Sequence, residues 1–397
     1  MKSFCGLICI ILLFYEILAD DTKEINLIVN DGLLIAPTKL GTPSKETNLI
    51  VDTATLTSWV LHSKFNEANS SSFTNTTKDL VIIENEGFIG QDQLSFSGIN
   101  KTFNYEFGIA TKEDDISSFV GNNDGILGLG RNYENSVDYN ITNAQSILYQ
   151  VRSNSLINKN VFSINYREKK LIFGKHQNFT RLNSLPFCNL KQKDILDLFW
   201  TCRLSYVINS TEIDRKNSEI NEEVVFNSGS LYSTGTFKLQ KVFLYYLPES
   251  CKNTTLNESI TIVCDNNVIE NKMYIVLNGY GLLLSDYFEN ITINNEPKKR
   301  MKFNFGNIPR NDLGINFFEL YDVLFDLDSK QVFIDDFNQN YLDVTKETSD
   351  SDSIENKAVL ILGIILVISL SIIIITLICQ KNEKNTKESI DNVFSAI

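Results

Sequence analysis

An all-β protein built from two like halves and followed by one membrane-spanning helix is the architecture the sequence predicts. Three observations predict it. Short apolar runs of strand length recur between residues 25 and 339, separated by polar or Gly-containing turns. One two-part theme appears twice in the same order. Residues 358–379 form a charge-free run of almost only Ile, Leu and Val.

Taken in chain order, residues 1–19 read as a secretory signal, with Lys2 as the basic start, Leu7 to Phe14 as the apolar centre and Ala19 as the small residue before cleavage. An uncleaved anchor is the weaker reading, because the apolar run is short for a span. The strand runs are Ile25–Val29, Asn48–Val51, Leu80–Ile83, Val161–Tyr166, Lys170–Phe173, Leu204–Ile208, Met273–Leu277, Leu320–Phe325 and Gln331–Ile334. Helical patches are few, 142–152 being the best and 237–246 the next. Many short strands with little helix point to a sandwich or barrel architecture. The acidic, Ser-rich stretch 340–357 reads as a flexible stalk. At 1.5 Å per residue, 358–379 is long enough to cross a hydrocarbon core of roughly 30 Å. Lys381, Lys384 and Lys387 follow it, which orients 380–397 as a cytoplasmic tail and the bulk of the chain outside the cytosol. A lipid-anchor signal would end in apolar residues, and this tail is polar. The chain is therefore expected to be a single-pass type I membrane protein, its ectodomain extracellular or in the lumen of the secretory or endosomal system.

The repeated theme is the most informative feature. Leu49-Ile50-Val51-Asp52-Thr53-Ala54-Thr55 is matched by Val224-Val225-Phe226-Asn227-Ser228-Gly229-Ser230. Each is an apolar strand ending in a small acid or amide, then a hydroxyl, a small residue and a second hydroxyl. Each is followed by a Leu-Gly element, Ile126-Leu127-Gly128-Leu129-Gly130 in the first half and Asp312-Leu313-Gly314-Ile315 in the second. Either tetrapeptide alone would pass for a coincidence among β turns. The A–B–A–B order, in halves of similar length, does not.

Composition narrows the function. Lys+Arg 36 against Asp+Glu 49 gives a formal charge of −13, a surface that repels phosphate backbones, so no nucleic-acid partner is expected. The two histidines, His62 and His176, cannot build a His-rich metal site and read as polar surface residues. Trp59 reads as core. Gly128-Leu129-Gly130 lacks the third glycine of a dinucleotide fingerprint, and Ser228-Gly229-Ser230 lacks the strand–Ser–helix context of a nucleophile elbow. No metal or cofactor is expected. Cys5 and Cys9 lie in the signal and Cys379 at the inner membrane edge. Cys188, Cys202, Cys251 and Cys264 remain outside, an even number that suggests two bridges in an oxidising compartment. Three connectivities are open; Cys188–Cys202 with Cys251–Cys264 is preferred because each closes a short loop. Nine glycosylation sequons begin at Asn69, Asn75, Asn100, Asn140, Asn178, Asn209, Asn253, Asn257 and Asn290, all in the expected ectodomain.

Together these residues resemble the pepsin-like aspartic proteases. Lys39-Leu40-Gly41-Thr42-Pro43, Ile50-Val51-Asp52-Thr53 and Trp59-Val60 are similar to the family's first active-site strand and its lead-in. Ser70-Ser71-Ser72-Phe73, Gln91-Asp92, Leu171-Ile172-Phe173-Gly174 and Phe317 to Phe337 match further stretches, and Asp124 to Gly130 is the most specific match. The resemblance covers roughly 27–338. It implies a bilobal pepsin-like fold with a central cleft, an N-terminal β lobe at 20–180 and a C-terminal β lobe at 181–339.

The resemblance also implies a chemistry. Two facing carboxylates share one proton and hold a water; one acts as base and the other as acid. Asp52 falls on the first position and Asn227 on the second. An amide can hydrogen-bond but cannot titrate, and losing an acid/base group typically costs ~10²–10⁴ in rate. Without a second carboxyl, Asp52 is expected to titrate as an ordinary one. Thr53 and Ser228 are expected to make cross-lobe hydrogen bonds, and Thr55 and Ser230 to orient the key side chains. Gly229 keeps a close-approach residue, whereas Ala54 replaces a glycine and would be strained at positive φ. The flap, at 78–90, has no tyrosine; Leu80 sits at its expected place. Asp92, Asp124 and Asp312 are expected to lie away from the dyad.

The favoured reading is an inactive or strongly impaired peptidase that binds a peptide or protein in its cleft. The alternatives are an active aspartic endopeptidase using Asp52 in an unusual site, and a structural cell-surface glycoprotein.

Overall fold

The computed structural model describes residues 22–82, 85–113, 116–131, 145–174, 187–190, 199–209, 219–256, 258–265, 273–278, 280–336 and 342–343. The expected signal 1–19, most of the stalk 340–357, the apolar segment 358–379 and the tail 380–397 lie outside them. Among the described residues no helix is long and apolar enough to cross a membrane. Met1–Leu342 forms one compact unit and Asp343–Ile397 a second.

Three sheets carry the first unit. The first has eight strands in the spatial order Ile28–Asn30, Leu33–Leu40, Lys45–Asp52, Gly125–Gly128, Trp59–Leu61, Phe103–Ala110, Asn85–Phe96 and Thr74–Ile82. The second has twelve, with Ser233–Thr236, Asn311–Leu313, Glu219–Phe226 and Thr201–Asn209 adjacent at its centre. The third draws on both halves: Lys23–Asn26, Lys170–Phe173 and Val161–Asn165 continue into Tyr321–Asp326, Gln331–Asp336 and Phe187–Asn189. Every strand run expected from the sequence lies in a strand apart from Leu27, Tyr166 and Leu320; Ile83 lies outside the described residues.

Two parallel pairings place the repeated theme. Lys45–Asp52 runs parallel to Gly125–Gly128, with Ile50 opposite Ile126 and Asp52 opposite Gly128. Glu219–Phe226 runs parallel to Asn311–Leu313, with Val225 opposite Asp312 and Phe226 opposite Leu313. Strands in such positions are covered on both faces, which is why Leu49-Ile50-Val51 and Val224-Val225-Phe226 are unbroken apolar runs and all six residues are buried. The glycines of the Leu-Gly elements are needed for the same reason in both halves. A Cβ on Gly128 would lie 2.8 Å from the Thr55 carbonyl oxygen, and one on Gly314 would lie 2.4 Å from the Tyr232 carbonyl carbon.

Helix is sparse. Phe237–Tyr246 starts at Thr236, whose hydroxyl accepts from Leu239 N, buries Leu239, Gln240 and Phe243, and stops before Pro248. Ile147–Ser153 starts at Ser146, which accepts from Leu148 N. Phe162 stacks on Phe325 at 4.6 Å, and Trp200 and Phe226 pack on Phe325 at 5.1 and 5.7 Å. This aromatic cluster joins residues of both halves. The disulfides are Cys188–Cys202 and Cys251–Cys264, the local pairing. Trp59 is buried, and His62 is exposed beside Glu67. His176 lies outside the described residues.

The third sheet holds an acidic pair. Asp322 and Asp335 are direct cross-strand partners. Asp322 is buried; its Oδ2 accepts from Asn165 Nδ2 at 3.0 Å, and among the described residues its Oδ1 has no hydrogen-bond partner. Burial, then the charges of Asp335 and Glu168, push its pKa up to about 8, against a smaller opposing effect of Arg167. A carboxyl whose folded pKa exceeds its unfolded value near 3.8 stabilises the fold fully below pH 3.8 and loses that contribution as pH rises to about 8. Denaturant unfolding at pH 4 and pH 7.5 should therefore show greater stability at pH 4, with a difference of about 2–4 kcal/mol removed by Asp322→Asn. An unchanged difference in the variant would place the pH dependence elsewhere.

Candidate active site

The two repeated turns interlock through four buried hydrogen bonds. Thr53 Oγ1 donates to the Phe226 carbonyl at 2.6 Å and accepts from Ser228 N at 3.1 Å. Ser228 Oγ donates to the Val51 carbonyl at 2.7 Å and accepts from Thr53 N at 3.1 Å. Each hydroxyl thus satisfies one backbone donor and one backbone acceptor of the other half, and both residues are fully buried. Gly229 lies directly against Asp52: a Cβ there would fall 2.5 Å from the Asp52 carboxyl carbon. Only glycine admits that approach.

Asp52 is 8% exposed. Its Oδ1 accepts from Ala54 N at 2.7 Å and its Oδ2 from Thr55 Oγ1 at 2.6 Å. Burial raises its pKa more than these hydrogen bonds lower it, and the charge of Asp312 raises it further. The expectation of an ordinary carboxyl is corrected: desolvation acts whether or not the neighbouring position titrates. Ala54 is also not strained, since it is absent from the positive-φ residues.

The second half departs from the first. Asn227 Nδ2 donates to Asp312 Oδ2 at 3.0 Å, and Arg310 Nε donates to Asp312 Oδ1 at 2.8 Å. Ser230 Oγ donates to the Tyr232 carbonyl at 2.9 Å and not to Asn227, so it does not mirror Thr55. Asp312 was expected to lie away from the dyad position, and it lies beside it. Parallel register explains why: Asp312 holds the place that Ile126 holds in the first half, two residues back from the key side chain. A charge where the other half has an apolar residue was the available signal, and Arg310 and Phe199 gave none. Asp92 and Asp124 do have structural roles, accepting from Ser72 Oγ at 2.5 Å and from Asn48 N at 2.8 Å.

Leu80 is buried on the hairpin formed by Thr74–Ile82 and Asn85–Phe96, in one apolar cluster with Trp59 and Ile126. It offers no hydroxyl to the site. Of the sequon asparagines, Asn69, Asn75, Asn100, Asn253 and Asn290 are exposed and Asn209 ends a strand; Asn140, Asn178 and Asn257 lie outside the described residues. Among the described residues no group of three or more His, Cys, Asp or Glu side chains could hold a metal ion.

Two like turns, interlocked by their buried hydroxyls, with a desolvated Asp52 at the end of the first and Asn227 at the end of the second, define an all-β protein of two like halves. The chain belongs to the eukaryotic aspartyl protease family, whose pattern matches residues 34–336. Among curated proteins it is similar to pepsin II-1 of Oryctolagus cuniculus, 29% identical over 140 residues, which covers 32% of this chain and 35% of that protein. It is also similar to vacuolar protease A of Aspergillus fumigatus, 31% identical over 106 residues, covering 23% of this chain and 26% of that protein. The matched portion thus spans about a third or less of these relatives.

Proposed function

We propose that this protein is a membrane-anchored member of the family whose second catalytic carboxylate is replaced by Asn227, and that it binds peptide or protein segments in its cleft with peptidase activity lost or strongly impaired. The observation that carries this reading is the Asn227–Asp312 hydrogen bond. It commits the amide to a donor role toward a third residue, so position 227 neither shares a proton with Asp52 nor exchanges one. Asp52, with its raised pKa, faces the rest of the site without a carboxyl at the matching position of the second half. Extended segments can still bind through main-chain hydrogen bonds along strand edges, a mode independent of the dyad. The anchor would be 358–379, the ectodomain would face the cell exterior or a secretory or endosomal lumen, and the exposed sequon asparagines suit glycosylation there.

One observation favours a second reading, an active endopeptidase. Asp312 is a carboxylate close enough to raise the pKa of Asp52, and it could act in place of residue 227. Both of its oxygens are engaged, however, one by Asn227 Nδ2 and the other by Arg310 Nε. The test is cleavage of a broad fluorogenic peptide library between pH 3 and 7. The expected result is no turnover above an Asp52→Ala control. Turnover abolished by Asp52→Ala would establish a working enzyme, and its loss in Asp312→Asn as well would assign the second acid.

A further inference from the structure

The cluster beside Asp52 leaves a definite set of groups open to a ligand. Asp312 has one oxygen on Arg310 Nε and the other on Asn227 Nδ2. Arg310 is 28% exposed, and its guanidinium lies over the Phe199 ring at 4.3 Å from the centroid. Stacking and the Nε bond hold the planar group in place. Among the described residues, neither Nη makes a hydrogen bond. What remains unused is therefore the Asn227 carbonyl oxygen and the terminal nitrogens of a fixed arginine. These present donors to a ligand at Arg310, although Asp312 is an acid. The chain as a whole carries a formal charge of −13, so a cation bonded into this cluster runs against its net charge.

We propose that Arg310 is the specificity-determining residue of the site, and that the ligands are peptides carrying an Asp or Glu side chain that its terminal nitrogens receive. A carboxylate matches the planar donor pair with two parallel hydrogen bonds, each stronger than a neutral one. A lysine or arginine on the ligand would meet Arg310 in like-charge repulsion, and both Asp312 oxygens are already engaged. This inference rests on the peptide-binding reading above and names the class of peptide.

The test uses the full-length chain in detergent micelles at about pH 6, where glutamate is ionised. A random peptide library displayed on phage is panned against it, and the selected sequences are synthesised as matched pairs with Glu or Gln at each acidic position. The expected result is one position at which Glu binds about tenfold tighter than Gln, the difference shrinking in high salt. Arg310→Met should abolish the preference and Arg310→Lys should retain part of it. Equal binding of Glu and Gln peptides at every position, or a preference that survives Arg310→Met, overturns the assignment while leaving peptide binding intact. Failure to select any peptide overturns the peptide-binding reading and this inference with it. If Arg310→Met does not fold, the wild-type Glu/Gln comparison alone decides.

Discussion

Asn227→Asp will fail to produce a working peptidase, and it will destabilise the protein at neutral pH. In the native chain the side chain at 227 donates to Asp312 Oδ2 at 3.0 Å. An aspartate there cannot donate when ionised, and two carboxylates at hydrogen-bond distance cannot both carry charge, so the new pair must keep a proton. That proton is then shared with Asp312 and not with Asp52, which leaves the water-holding arrangement unmade. Arg310 offsets part of the repulsion by its bond to Asp312 Oδ1. Leu80 still supplies no hydroxyl on the hairpin. Cleavage is expected to stay at least ~100-fold below that of a two-carboxylate site, the usual scale for a missing acid/base group. Stability at pH 7 should drop by about 2–4 kcal/mol, comparable to breaking one partner of a buried charged contact. The sign of the pH dependence follows from the raised pKa of the new pair. The loss is absent near pH 4, where a proton is bound, and grows as pH rises. Asp312→Asn added to Asn227→Asp should recover most of the stability, because the amide introduced at position 312 can donate to the carboxylate introduced at position 227. Efficient, Asp52-dependent turnover by the single variant would show that position 227 alone separates this chain from an active enzyme.

Thr53→Val is expected to cost about 3 kcal/mol, although it conserves shape. The lost hydroxyl holds the Phe226 carbonyl at 2.6 Å and the Ser228 N–H at 3.1 Å. Both are backbone groups in a fully buried contact between the halves, so each is left without a partner and without water. Thr55→Val removes one bond to Asp52 Oδ2 and leaves no backbone group unpaired. It should cost about 1 kcal/mol and raise the Asp52 pKa further. Chemical denaturation of the two variants at one pH makes the comparison. A Thr53→Val loss no larger than that of Thr55→Val would mean that the interlocked turns contribute little to joining the halves.

Much of this architecture could be read from residues in order. The strand runs were visible because apolar stretches of strand length bounded by turn residues have few other uses, and the twofold theme was visible because a hydroxyl two-step after an apolar strand recurs with its Leu-Gly partner. The local disulfide pairing followed the same nearest-neighbour logic. The site was only partly legible. Asp52 and Asn227 stand at the ends of the two strands, where the repeat marks them. Asp312 was in view as part of a Leu-Gly element, yet its neighbours were not, because 85 residues separate it from Asn227. The raised pKa of Asp52 was missed since desolvation comes from packing by residues remote in the chain.

The order of residues sets which groups are available: one carboxyl and one amide at the ends of repeated apolar strands, hydroxyls beside them, and small residues where backbones must pass. Side-chain periodicity and turn chemistry are local, so they survive reading along the chain. Which groups face one another is settled by packing in three dimensions: the amide of Asn227 turned to Asp312, Ser230 turned to Tyr232, and Arg310 held on Phe199. Those pairings depend on strand register and on the way one half packs on the other. A hydrogen bond is sensitive to tenths of an ångström between atoms far apart in sequence, a distance that no local pattern encodes.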